Sequence, residues 1–188
     1  MLLIYHPQAE QCRWIFGYGS LMWRPGFEFV RQTPARLSGF HRRLSVYSFH
    51  YRGTDEKPGL VLGLDRGGSC AGMAFEVSDE KWFEVLTYVR KREMITGVYR
   101  EIVKRVTVGD ATEPVLAVTY AVDRKHPQCA PPMSVEDTMA LVAQGHGLFG
   151  SCADYVRNTL HHLRKLGHHD AGLERLAPAL KNLSGSFP

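Results

Sequence analysis

The chain has 188 residues, of which 44% are hydrophobic, so it is long enough to bury a core and short enough to form one domain. Its 23 basic and 19 acidic residues are interspersed, and a net charge of +4 suits a small anionic ligand as well as a nucleic acid. The four cysteines form no CxxC pair, which argues against a zinc ribbon or a disulfide framework.

No stretch approaches the roughly 18 to 20 apolar residues of a membrane span, and the apolar start of the chain is shorter than the core of a signal peptide. We therefore expect a soluble protein with reduced thiols in the cytoplasm. Residues 1–188 should form a single domain, in which residues 1–13 are a short N-terminal extension.

The first half of the chain has the pattern of β-strands. A buried strand begins at Trp14 and breaks at Gly17 to Ser20. Residues 35–51 predict one or two half-buried strands, with Gly39 as a candidate bulge. After a turn over residues 52–59, LVLGLD and CAGMAFEV predict two strands of a β meander separated by the turn RGGS.

The second half mixes strands with helices. Ser78 is a candidate N-cap for a helix from about Asp79 to near Lys91. Residues 99–108 and 114–122 predict a second strand pair, and Ser134 predicts the start of a helix that ends at about Gln144. Two further helices are expected within residues 151–167 and 170–183, so the fold class is α+β with a curled sheet.

The segment GYGSL, residues 17–21, is the first candidate for chemistry. A strand that ends in closely spaced glycines can turn several backbone N–H groups toward one point, where they bind a carboxylate or an oxyanion. The alternative is a tight turn in which Gly17 and Gly19 only relieve strain. A dinucleotide fingerprint is excluded, because Met22 stands where GxGxxG requires glycine.

Glu93 is the second candidate, because an acidic residue near the end of a helix opposes the preference of helix C-termini for cations. The alternative is an ordinary salt bridge with a neighbouring arginine or lysine. Arg42, Arg43 and Arg52 lie near aromatic residues, which suits anion recognition, nucleic-acid stacking or plain exposed strand positions. The C-terminal histidines lack the spacing of a zinc site and are interpreted as surface or capping groups.

Several motifs together resemble the ChaC family of glutathione-specific γ-glutamylcyclotransferases. They are IFGYGSLMW, GFHRR, the RGT…PG turn, CAGMAFEV and REMITGVY, in matching order from about Trp14 to Val108, followed by YVRNTLHHLRKLGHHD. The resemblance implies a barrel-like α+β fold, no metal, no organic cofactor, and Glu93 as the single catalytic acid/base.

The same resemblance implies a substrate-binding loop at Ile15, Phe16, Gly17, Tyr18, Gly19, Ser20 and Leu21. Tyr99 is expected to line the pocket, and Arg43 or Arg92 to neutralise a substrate carboxylate, since Leu60 replaces the arginine that more usually follows the Pro-Gly turn. The implied partner is a small molecule, glutathione, which is cut into 5-oxoproline and cysteinylglycine. Neither a nucleic acid nor a membrane is an expected partner.

Three alternatives stay open at the level of sequence. A cyclotransferase for other γ-glutamyl amino acids or amines could share the loop and the glutamate. A non-catalytic module could use the same pocket to sense a γ-glutamyl metabolite. A nucleic-acid binder would account for the basic, aromatic strands but would leave Glu93 and GYGSL unexplained.

Overall fold

The computed structural model describes residues 5–110 and 113–183; Met1 to Ile4 of the predicted N-terminal extension lie outside the described residues. The chain divides into two compact units, Met1–His41 with Leu64–Asp123, and Arg42–Gly63 with Arg124–Pro188. Two long strands run from one unit into the other. The single-domain organisation stays a prediction.

The sheet of the first unit is a closed barrel. Its strands are β1 (Trp14–Gly17), β2 (Arg31–Ser48), β3 (Gly59–Glu76), β4 (Tyr99–Val108) and β5 (Val115–Val122), in the order β1-β3-β2-β4-β5. β1 pairs with β5 in parallel and with β3 antiparallel, so the sheet is mixed. The predicted α+β class with a barrel of mixed strands is confirmed.

Two strand predictions need correction. The RGGS segment is not a turn between strands, because β3 continues through it with φ of +102° at Gly67 and +69° at Gly68. Glycine adopts such angles without steric cost, so the strand can bend there without ending. Of the one or two strands predicted over residues 35–51, one is present with different bounds: β2 begins earlier, at Arg31, passes through Gly39 and ends at Ser48.

The helix that carries Glu93 is α1 (Trp82–Glu93). The prediction of Ser78 as its N-cap was wrong: the N-cap is Lys81, whose N–H donates to the Ser78 carbonyl in a preceding turn. The buried face of α1 packs into the core of the first unit through Trp82, Val85, Leu86 and Val89. The helix also ends two residues later than predicted, so Glu93 is its last residue.

The second unit contains α2 (Val135–Gln144), α3 (Cys152–Lys165), α4 (Ala171–Glu174), α5 (Ala177–Lys181) and the short strands β6 (His146–Gly147) and β7 (Gly150–Ser151). Ser134 caps α2 by accepting from the Asp137 N–H, as predicted. The single helix predicted over residues 170–183 is wrong. Pro178 has no N–H and would clash with the Glu174 carbonyl four residues back, so α4 ends there and α5 begins anew.

No helix within residues 5–110 and 113–183 is both long enough and apolar enough to cross a membrane.

Candidate active site

The loop after β1 folds back tightly on the strand. β1 ends at Gly17, and Ser20–Met22 form a 3₁₀ helix in which the Met22 N–H donates to the Gly19 carbonyl at 2.9 Å. A Cβ atom added at Gly17 would lie 2.8 Å from the Leu21 Cβ. The close approach of Leu21 to the end of β1 therefore requires glycine at position 17. The N–H groups of Gly19, Ser20 and Leu21 stand at the start of the helix, where the first N–H groups have no partner within the helix.

Tyr18 anchors this loop to the barrel. Its hydroxyl donates to the Tyr120 carbonyl on β5 at 2.8 Å, and both side chains are buried. Ile15 and Phe16 lie just before Gly17 and are fully buried, while Leu21 at the end of the loop and Met22 after it are also buried. The loop is therefore fixed at both ends, with its backbone held in one place.

Glu93 occupies the core-facing row of α1. Leu86, Val89 and Glu93 follow one another at helical spacing, so the carboxylate extends from the same face as two fully buried apolar side chains. Its side chain is 19% exposed. Burial raises the pKa of the Glu93 carboxyl above its usual range, and the charge of Arg92 opposes part of that rise.

Arg92 connects Glu93 to the loop. Its Nε lies 3.2 Å from the Glu93 Oε1, and its Nη2 donates to the Ser20 Oγ at 3.1 Å. Its Nη1 donates to the carbonyls of Arg24 at 2.6 Å and Pro25 at 3.0 Å. The Arg92 guanidinium thus joins the end of α1 to two places in the segment after β1: Ser20 near its start, and Arg24 and Pro25 further along.

A buried ion pair connects α1 with β4. Arg90 donates from Nε and Nη2 to the two carboxylate oxygens of Glu101, at 2.7 and 2.8 Å, and the Glu101 side chain is wholly buried. The Tyr120 hydroxyl donates to the same carboxylate at 3.3 Å. Burial, together with the charges of Glu101 and Glu93, raises the pKa of Tyr120 far above its usual range, so the phenol stays protonated.

Sequence reasoning missed this ion pair, although a signal was present. Along β4 the inward residues alternate, and Glu101 shares its face with Val103. A carboxylate at an inward position of a strand needs a buried partner, and Arg90 on the neighbouring helix supplies it.

The remaining predicted residues fall in different places. Tyr99, the first residue of β4, is half-buried and packs against the core cluster that contains Leu21, Met94 and Tyr120. Arg43 belongs to the second unit, where its guanidinium donates to the carbonyls of Ala130 at 3.2 Å and Pro131 at 3.1 Å. Its role toward a substrate stays a prediction.

Leu60, at the position where the resemblance implies an arginine, is fully buried in the second unit. Its carbonyl accepts a hydrogen bond from the Cys152 thiol at 2.9 Å, and its N–H donates to the same sulfur at 3.3 Å. The position is therefore part of the packing of that unit, and an arginine there would bring a charge into it.

The closed mixed barrel is the fold of a solved γ-glutamylcyclotransferase. The solved structure of the glutathione-specific enzyme from yeast matches it with a TM-score of 0.81 over 89% of this chain and 95% of that chain, at 20% identity. The family model described as ChaC-like protein matches residues 13–183, and the chain therefore belongs to the ChaC-like family.

Curated relatives agree with that assignment. The glutathione-specific γ-glutamylcyclotransferase of Escherichia coli K12 is 36% identical over 176 residues, which cover 93% of this chain and 76% of that protein. The human glutathione-specific γ-glutamylcyclotransferase 1 is 32% identical over 151 residues, which cover 78% of this chain and 67% of the human protein.

Proposed function

We propose that this protein is a glutathione-specific γ-glutamylcyclotransferase with Glu93 as its acid/base residue. The observation that carries the proposal is the half-buried Glu93 carboxyl, with a raised pKa, joined through Arg92 to the glycine loop after β1. The family assignment supplies the reaction class, and the names of the relatives supply glutathione as the substrate.

Glutathione contains its own nucleophile. The free α-amine of its γ-glutamyl group can attack the γ-carbonyl carbon and close a five-membered ring, so the protein has to fold the substrate and transfer protons. The bond that forms joins the α-nitrogen to the γ-carbonyl carbon, and the bond that breaks joins that carbon to the cysteinyl nitrogen. The products are 5-oxoproline and cysteinylglycine.

Glu93 is suited to the proton transfers. The α-nitrogen starts as an ammonium and ends as an amide N–H, while the cysteinyl nitrogen gains the two protons that the α-nitrogen loses. Glu93 transfers these protons one at a time: it takes the first from the ammonium, takes the second from the α-nitrogen once that nitrogen has bonded to the γ-carbonyl carbon, and gives each in turn to the leaving nitrogen. A carboxylate with a raised pKa is a stronger base, closer to the pKa of about 8 of an α-amine, so the first transfer is less uphill.

The loop supplies the binding contribution. The N–H groups at Gly19, Ser20 and Leu21 would hold the substrate's α-carboxylate or the oxyanion that develops on the γ-carbonyl oxygen. Tyr99 would line the apolar side of the pocket. Arg92, already bound to Ser20 and Glu93, would hold the loop and the base at a fixed separation.

We place this activity in the cytoplasm, where glutathione is kept reduced. The thiols of Cys12 and Cys152 are buried and not in a disulfide, which suits a reducing compartment.

The test is incubation of the purified protein with glutathione, followed by quantification of 5-oxoproline and cysteinylglycine. Oxidised glutathione and γ-glutamyl-alanine are assayed separately as alternative substrates. Preferential turnover of γ-glutamyl-alanine would instead support a cyclotransferase for other γ-glutamyl amino acids or amines. Glu93→Gln should abolish turnover while preserving the fold. Glu84→Gln is the matched control, because Glu84 lies on the same helix with a side chain that is 72% exposed. Retained turnover in Glu93→Gln would refute the assignment of the base.

A further inference from the structure

The segment Tyr5–Cys12 precedes the residues matched by the family model, yet it is integrated into the first unit. Ala9 is fully buried and Cys12 nearly so, and both belong to the core cluster that includes Trp82 and Val89 of α1. The Trp82 Nε1 donates to the Ala9 carbonyl at 3.1 Å. This segment is therefore docked along the helix that carries Glu93.

The same segment completes the Arg90–Glu101 ion pair. The His6 backbone N–H donates to the Glu101 Oε1 at 2.9 Å. The Tyr5 ring lies over the Arg90 guanidinium, with 4.0 Å from its Cζ to the ring centroid. A wholly buried carboxylate needs all its donors, and a ring over a guanidinium both attracts the cation and excludes water from it.

The ion pair is connected to Glu93 through the helix that carries Arg90. Arg90 lies three residues before Glu93, on the last turn of α1. Glu101 also accepts from the hydroxyl of Tyr120, and the charge of Glu93 is one of the causes that raise the pKa of Tyr120. A shift of the Glu101 carboxylate would therefore disturb both of its side-chain partners, Arg90 on the final turn of the helix and the Tyr120 phenol.

We propose that the segment Tyr5–Cys12 is a positioning element for Glu93, which acts by fixing the Arg90–Glu101 pair beneath the last turn of α1. The inference rests on the proposed function, because it concerns the geometry of the same base. The segment acts through the ion pair and is not assigned any contact with the substrate.

Two pairs of variants separate this positioning role from a general effect on stability. His6→Pro removes the N–H that Glu101 accepts, whereas His6→Ala keeps it and serves as the control. Tyr5→Ala removes the ring over Arg90, whereas Tyr5→Phe keeps a ring and should rescue. Each variant is assayed for kcat and KM with glutathione well below its melting temperature, and the melting temperature is measured in parallel.

We expect His6→Pro to lower kcat about tenfold, the equivalent of one hydrogen bond to a charged group, with KM within about twofold of wild type. Tyr5→Ala should lower kcat about threefold, and His6→Ala and Tyr5→Phe should match wild type. Wild-type kcat in both His6→Pro and Tyr5→Ala would overturn the inference, as would equal losses within each pair. Absence of turnover in the wild-type protein would instead refute the proposed function.

Discussion

Arg92 offers the sharpest test of the site, because two substitutions separate its charge from its shape. Arg92→Lys keeps the positive charge beside Glu93 but loses the planar fork that reaches Ser20, Arg24 and Pro25 together. Arg92→Gln removes the charge as well. We expect both to weaken catalysis and only the second to change its pH dependence.

The magnitude follows from the contacts. A hydrogen bond from a charged donor contributes about 1.5 to 3 kcal/mol, and the 25% exposure of the Arg92 side chain favours the lower end. A lysine ammonium can keep about one of the three contacts with Ser20, Arg24 and Pro25, so two are lost, at a cost of about 3 kcal/mol. At about 1.4 kcal/mol per factor of ten, kcat/KM should fall roughly a hundredfold in Arg92→Lys.

The assay is the pH dependence of kcat/KM with glutathione for wild type and both variants. Because the Arg92 charge lowers the pKa of Glu93, its loss in Arg92→Gln should move the acid limb of the profile to higher pH. The limb should stay in place in Arg92→Lys. An unchanged kcat/KM in Arg92→Lys, or an acid limb that moves equally in both variants, would refute the assigned role.

Three further predictions concern carboxylates. The wild-type kcat/KM should rise with pH through an acid limb above the usual glutamate value of 4.5, because burial raises the pKa of Glu93; a limb at or below that value in a pH-rate profile would contradict it. In thermal melts, Glu93→Gln should be at least as stable as wild type at pH 8, and its advantage should be smaller at pH 4.5. Because the pKa of Glu93 is higher in the folded than in the unfolded protein, the stability of the wild type falls as pH rises from the unfolded-state pKa to the folded-state pKa. Glutamine does not ionise and avoids that loss. Glu101→Gln leaves the Arg90 charge without its buried partner and should cost about 3 kcal/mol, or roughly 6 to 12 °C in melting temperature, whereas the exposed Glu84→Gln should change it little.

The regular elements of the fold were largely predictable from hydrophobic patterns. The strand at residues 99–108 and the helix that Ser134 caps match the structure, because alternation and capping are local properties. The RGGS segment misled because glycines are turn formers by composition, whereas β3 uses their positive φ to bend without ending. Whether β3 continues through these glycines depends on its pairing with neighbouring strands, and those strands are distant in the sequence.

The site was predictable only in part. Glu93 and the loop could be singled out, although their setting in the sequence also allowed an ordinary ion pair and a plain turn. The ion pair with Arg92 does exist, and it is compatible with a carboxyl whose pKa is raised by burial. The inward position of Glu101 on β4 indicated that it needed a buried partner. The partner itself could not be predicted locally, because the contacts of Glu101 join segments up to 95 residues apart.

The position of Glu93 on the core-facing row of α1 has a consequence for how this chain tolerates change. Position 93 follows Leu86 and Val89 at helical spacing, on the core-facing side of α1. An apolar side chain would therefore be more stable at this position than a carboxylate. Variants selected for heat resistance alone would therefore accumulate methionine or leucine there, while variants selected for turnover would keep glutamate. The opposed preferences at this one position would distinguish a residue retained for chemistry from one retained for folding, even before a substrate is identified.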